Sequence, residues 1–215
     1  MTAKGRAEEL AALAEPLCAS LDAAHQAREK GLAACRRTIR TSGTSIRAVH
    51  RGELDRARTL ADDAESALRE AQAALRPHPA VAFAGFLHDA EKEYAEARLA
   101  AALVAGDPLP DHDRLGVEVA AWLNGLAEAA SELRRNLLDR LREGDLARAE
   151  VLMDVMDDVY GLLITVDYPD ALTGGLRRTT DALRAVVERT RGDLTTTLLQ
   201  SRLQQAIEGK RPPAG

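Results

Sequence analysis

The stretch LGVEVAAWLNGLAEAASELRRNLLDRLR, residues 115–142, decides the fold. Val119, Leu123, Leu126, Ala130, Leu133 and Leu137 recur at steps of three and four, the period of one face of an α-helix. Gly144-Asp145 follows as a stop and then the N-cap of another helix. The spacing predicts a long amphipathic helix from about Leu115 to Arg142. Downstream, Leu152, Val155, Met156, Val159 and Leu163 predict a helix from Leu146 to about Val166. Asp167-Tyr168-Pro169-Asp170 reads as a turn. A last helix runs from near Ala171 to Ile207, with Gly192-Asp193 as a joint.

Upstream, Gly106 to Arg114 holds two prolines and three aspartates and reads as a loop. A helix from Ala80 to Val104 has its core positions at Phe83, Leu87, Ala90, Tyr94, Ala97, Ala101 and Val104. Another, Glu53 to Leu75, stops at Pro77 and Pro79. The first carries Leu32, Cys35, Ile39, Ile46 and Val49 inward. Pro16 marks an irregular start, and Gly43 and Gly52 weaken the segment, with Gly52 as its break. Strand alternation, internal repeats and linkers are absent from the sequence. The expectation is an all-α fold, an antiparallel bundle of about six to seven long helices. It forms a single domain over residues 1–208, with a disordered tail over 209–215.

Composition narrows the function. The 215 residues carry 29 Lys+Arg against 34 Asp+Glu, a net charge of -5, so the chain is not a strongly basic nucleic-acid binder. Aromatics at 3% exclude a platform of many stacked rings, but leave room for a basic patch. Cys18 and Cys35 have no metal-finger spacing and read as free thiols in a reducing cytosol. No apolar run is long enough for a membrane span. The opening MTAKGRAEEL is acidic where a signal peptide needs apolar residues, so a cytoplasmic protein is expected.

Two charged faces are candidates for chemistry. Asp89, Glu93 and Glu96 fall within about 60° of one another around a helix, flanking the apolar stripe through Tyr94; Glu128 and Glu132 fall within about 40° on the next long helix. Such faces either hold a hard cation such as Mg²⁺ or are simply solvated. Arg36, Arg40, Arg47 and Arg51 also cover only about 60° of one face. That stripe suits a phosphate backbone, or pairs with acids of a neighbouring helix. Arg134-Arg135 and Arg177-Arg178 share the ambiguity. Asp154, Asp157 and Asp158 read as a solvated face. Gly174-Gly175 either approaches a phosphate or lets helices touch. A di-iron carboxylate bundle needs Glu-x-x-His twice, and Asp22-x-x-His25 is the only near match. His25, His50, His78, His88 and His112 read as surface or cap residues. No Walker loop, nucleophile elbow or dinucleotide fingerprint is present.

Several short motifs in order resemble the prokaryotic translin family. They are Asp167-Tyr168-Pro169-Asp170-Ala171, Gly174-Gly175-Leu176-Arg177-Arg178-Thr179-Thr180-Asp181 and Thr190-Arg191-Gly192-Asp193-Leu194-Thr195. Arg36-Arg37-Thr38-Ile39-Arg40 with Val49-His50-Arg51-Gly52 is similar to the family's first-helix pattern. Glu93-Tyr94-x-Glu96-Ala97 resembles the Trax branch, and Trp122-Leu123-x-Gly125-x-Ala127-Glu128 with Ser131-Glu132-Leu133 resembles the next block. The resemblance covers nearly the whole chain.

The resemblance implies an all-α seven-helix subunit that forms octamers around a cavity and binds single-stranded RNA and DNA. The Trax branch is a Mg²⁺-dependent endoribonuclease. Its catalytic acids match Glu93 and Glu96, and Glu128 stands where the family has Asp, one methylene shorter. Glu132 matches a further acid of that block. The expected function is therefore a single-strand-binding homo-oligomer with Mg²⁺-dependent endoribonuclease activity, with Mn²⁺ as a substitute ion. Glu93, Glu96, Glu128 and Glu132 hold the metal, the first three are catalytic, and Arg36, Arg40, Arg47 and Arg51 bind nucleic acid. The alternatives are a non-catalytic single-strand-binding oligomer and a helical scaffold with a protein partner.

Overall fold

A computed structural model of the protein describes residues 3–208. The tail expected to be disordered, 209–215, lies outside them. Among the described residues there are nine helices and no strand. Six are long: α1 (Ala3–His50), α2 (Leu54–Leu75), α4 (Phe86–Ala105), α6 (Val119–Glu143), α7 (Leu146–Leu163) and α9 (Leu176–Glu208). Three are single turns: α3 (Pro79–Ala82), α5 (His112–Leu115) and α8 (Asp170–Thr173). The all-α bundle read from the sequence is the architecture observed. No helix of the described residues is long and apolar enough to cross a membrane.

Three expected helices differ in their bounds, and glycine is the reason each time. The Ala80–Val104 helix is split, because Gly85 takes φ +95 and separates α3 from α4. Phe83, expected in the core, lies in that break and is 87% exposed. The helix expected from Leu115 starts at Val119, because Gly116 at φ +59 ends the short α5 inside the expected loop. The last helix begins at Leu176 rather than Ala171, after Gly174 and Gly175, both at positive φ. Positive φ is cheap only for glycine. Gly192 makes no joint: α9 runs through it. Pro16 lies inside α1, in a stretch exposed to water that can satisfy the carbonyl it strands. Gly43 also sits within α1, whereas Gly52 (φ +74) does break the chain before α2.

The core gathers Leu68, Leu99, Leu126, Leu137, Met156 and Leu183 from five helices, all essentially inaccessible. Helix α4 packs against α1, α2 and α6 and lies at the centre of the bundle. Its crossing with α6 is set by Gly125. A Cβ there would stand 2.9 Å from the Lys92 carbonyl oxygen and from the Ala95 Cβ, and 3.0 Å from the Glu96 nitrogen. Only a residue without a side chain permits that approach. Next to it, buried Asn124 donates to the Ala120 and Thr173 carbonyls at 2.8 Å and accepts from Thr179 Oγ1 at 2.7 Å. That side chain ties α6 to α8 and the start of α9. Gly174 lets the His88 ring close over the same junction, where a Cβ would lie 2.9 Å from Nε2.

Candidate metal centre and basic edge

The close crossing at Gly125 places Glu96 of α4 beside Glu128 of α6. Glu93 comes from the turn before Glu96. One carboxylate oxygen from each of these three residues lies within 4.8 Å of the other two. Glu96 is 7% exposed and therefore sits on the buried face, not beside the apolar stripe where helical spacing put it. Glu93 and Glu128 are half-buried. Asp89, one turn earlier, is exposed and outside the group.

Electrostatics mark Glu96 most strongly. Burial, then repulsion from Glu128, Glu93 and Glu132, and a hydrogen bond with Glu128 push its carboxyl well above the carboxylate range, to about 9. Glu93 is raised as well, by burial first, with the Lys92 charge opposing and the Glu128 charge adding. Three acids in a small, partly dry volume cannot all ionise unless a cation joins them.

One cation is already there. Lys92 Nζ donates to the Glu128 carboxylate at 2.8 Å and lies 3.4 Å from Glu93. Burial lowers the lysine's proton affinity, but the Glu128 hydrogen bond and the Glu128 and Glu93 charges outweigh it, and the net shift is upward. Sequence reading missed Lys92. Sequence carried no signal for it, because its hydrogen-bonding partner Glu128 lies 36 residues away on another helix.

Glu132 stands one turn along α6 from Glu128 and is not among the three. Its carboxylate meets His50 Nε2 at 2.6 Å. His50, read from the sequence as a surface or cap residue, has a side chain only 10% exposed and links the end of α1 to α6. Burial of His50 had no signal in the sequence, because the contact joins residues 50 and 132.

The arginine stripe occupies the edge of α1 next to that link. Arg36, Arg40, Arg47 and Arg51 are all exposed. Arg51 is held by Glu53 through two hydrogen bonds, at 2.7 and 3.2 Å. Arg47 Nη2 donates to Thr44 Oγ1 at 2.8 Å. Arg36 and Arg40 form no ion pair among the described residues. The stripe is therefore not a set of bridges to a neighbouring helix. By contrast Arg134 is a structural cation, bonded to Thr190 at 3.0 Å and Asp193 at 2.7 Å. Arg135, Arg177 and Arg178 are exposed.

No family model matches the chain. An uncharacterized protein of Methanocaldococcus jannaschii is 26% identical over 186 residues, covering 84% of this chain and 81% of its own. The crystal structure of AfC3PO is 33% identical with TM-score 0.74, covering 91% of this chain and 98% of its own. AfC3PO in a complex with duplex RNA is 32% identical, with TM-score 0.75 and coverage of 91% and 97%. The crystal structure of apo-NeC3PO shares the fold at TM-score 0.76 over 85% of this chain, with 17% identity. Fold, motif order and identity over nine-tenths of its length agree: the chain belongs to the translin/C3PO family.

Proposed function

We propose that this chain is the subunit of a homo-oligomer, an octamer when complete, that binds single-stranded RNA and DNA and cuts RNA as a Mg²⁺-dependent endoribonuclease of the Trax type. The observation that carries the reading is the convergence of Glu93, Glu96 and Glu128 from two helices within 4.8 Å. They form an all-oxygen donor set of the kind Mg²⁺ or Mn²⁺ takes. Opposite ligands on an octahedral ion stand about 4 Å apart, so these side chains need only small adjustments. The raised Glu96 supports the fit, because a carboxyl that holds its proton for want of a cation gives it up to one.

A Mg²⁺ ion bound there would supply Lewis acidity toward a phosphodiester oxygen and an activated water. The chain's own residues do the rest. Glu93 and Glu96 fix one side of the centre on α4, and Glu128 fixes the other on α6. Glu132 stands beside the centre, with one carboxylate oxygen held by His50. Arg36, Arg40, Arg47 and Arg51 bind the strand, since guanidinium groups grip phosphates as charge-assisted forks. A sequence-independent grip of this kind makes affinity salt-dependent, by about 0.7 in log–log slope for each single-strand phosphate.

Assembly is supported by apolar stripes at both ends of the fold. Leu10, Leu13, Leu17 and Leu21 project from the first half of α1, each more than half exposed. Leu199, Leu203 and Ile207 do the same on the end of α9. Contiguous apolar stripes of this length mark association surfaces. Light scattering should give an oligomer; a strict monomer at micromolar concentration removes the enclosed cavity from the account.

The test of the activity is cleavage of unstructured labelled RNA with Mg²⁺, with EDTA, and by E93Q/E96Q. AfC3PO has been crystallised with duplex RNA, so a duplex of the same sequence belongs in the assay. The proposal expects cutting of the single strand that EDTA stops and the double variant loses by at least about a hundredfold. RNA affinity should hold or rise in that variant. Wild-type protein that binds RNA but never cuts it leaves a binding-only oligomer. Equal cutting of the duplex removes the single-strand preference.

A further inference from the structure

The acid cluster already holds a cation, and it is a lysine rather than an arginine. Lys92 Nζ bridges two of the three candidate ligands, Glu128 at 2.8 Å and Glu93 at 3.4 Å. Among the described residues no other side-chain cation lies within ion-pair distance of Glu93, Glu96 or Glu128. Elsewhere on α4 the acids of α2 are held by Arg98, whose fork makes several fixed bonds at once. A lysine is different: it is a point charge on a flexible stem that can leave without breaking a planar fork.

We propose that Lys92 is the resident cation of this centre and that a divalent ion displaces it from Glu128 and Glu93. The inference rests on the reading that these carboxylates hold such an ion. The geometry sets the two cations in competition, because Lys92 bonds two of the three ligands. A metal ion about 2 Å from the carboxylate oxygens would face an ammonium hydrogen-bonded to the same groups, two positive charges within a few ångströms. The exchange replaces one positive charge by two in a cluster with three acids, so it favours a divalent ion. Sodium or potassium brings no more charge than the lysine it would have to move. Lys92 thereby sets a threshold: it offsets part of the acids' charge without metal, weakens every ion, and excludes the monovalent ones.

The experiment measures binding rather than activity. Mn²⁺ is titrated by electron paramagnetic resonance into the purified full-length oligomer, without nucleic acid, for wild type, K92M, K92R and E96Q. Methionine keeps much of the stem and removes the charge, and thermal unfolding reports whether each variant is folded. The proposal expects K92M to bind Mn²⁺ about tenfold or more tightly than wild type, within the usual range of coupling between competing ligands. K92R keeps the charge and should stay near wild type or weaker. A second readout follows Lys92 itself. Its labelling by an amine-selective reagent, read by peptide mass spectrometry, should rise on adding Mg²⁺ in wild type, rise much less in E96Q, and not respond to K⁺. K92M that binds Mn²⁺ no better than wild type overturns the exchange and makes Lys92 a fixed partner that orients Glu128. Lys92 labelling unmoved by saturating Mg²⁺ overturns it as well. No saturable Mn²⁺ binding in any variant overturns the metal centre and the exchange with it.

Discussion

Helix α4 faces two groups of acids, and the two are handled in opposite ways. Toward α2 stand Asp62 and Glu65. Glu65 accepts from Tyr94 Oη at 2.8 Å and Arg98 Nη2 at 2.9 Å, and Asp62 accepts from the same guanidinium at 2.6 Å. Burial pushes the Glu65 carboxyl up, but the hydrogen bonds from Tyr94, Arg98 and Arg69 outweigh it, and the net shift is downward. About 160° around α4 from Arg98, toward α6, Glu96 is buried, and there the shift is strongly upward. Glu65 is only half-buried, and Asp62 is exposed. What separates the two groups is burial and the supply of donors: five hydrogen bonds link Asp62, Glu65, Tyr94, Arg98 and Arg69 on one side, while one lysine reaches two of three carboxylates on the other. A satisfied network is scaffold, and an unsatisfied one is a place for a missing cation.

The comparison breaks most visibly in stability. E65Q removes the charge that Arg98 and Tyr94 were built around, and should cost about 1–3 kcal/mol with a matching drop in melting temperature. E96Q should behave oppositely in EDTA. It replaces a carboxyl that already keeps its proton with a neutral amide of similar size, so the melting temperature should hold. If both variants lose stability equally, the two sides do not differ as described.

G125A sharpens the same contrast through geometry. A methyl would press on the Lys92 carbonyl and the Ala95 methyl. The expected cost is about 1–3 kcal/mol, as for other overpacked sites. Because the crossing also sets the Glu96–Glu128 approach, Mn²⁺ affinity should fall in a variant that still melts cooperatively. Unchanged affinity would mean that the crossing does not position the acids.

The same contrast appears in pH dependence. An unfolded chain gives up the Glu96 proton at the ordinary 4.5, whereas the folded chain keeps it to about 9. Folding therefore takes up a proton between those values, and metal-free stability should decline as the pH rises across them. Glu93 adds with the same sign. Glu65, lowered on folding, contributes the reverse: its stabilisation is present above 4.5 and is lost on acidification. Melting curves in EDTA from pH 5 to 9 should slope downward for wild type and more shallowly for E96Q. Saturating Mg²⁺ should flatten the wild-type slope, since the ion replaces the proton.

Much of the fold was legible in periodicity. Leu126, Leu133 and Leu137 predicted α6, and they are buried where the period put them. The breaks at Gly85, Gly116 and Gly174-Gly175 were not, because a glycine at positive φ looks in sequence like Gly43, Gly125 or Gly192, which sit in unbroken helix. At the centre, the motif resemblance singled out Glu93, Glu96 and Glu128, but helical spacing alone put Glu96 on the flank. Its burial depends on α6 arriving at Gly125, a contact between residues about thirty apart. Lys92 and His50 were invisible for the same reason: each matters through a partner on another helix.

The central claim is that Glu93, Glu96 and Glu128 together hold one divalent ion. The most direct measurement is anomalous diffraction from crystals soaked in Mn²⁺. The account predicts one peak among the three carboxylates, bridging α4 and α6, with Lys92 turned away from Glu128. Saturating Mn²⁺ that leaves no peak there, or a peak with Lys92 still bonded to Glu128 and the acids unligated, would contradict it.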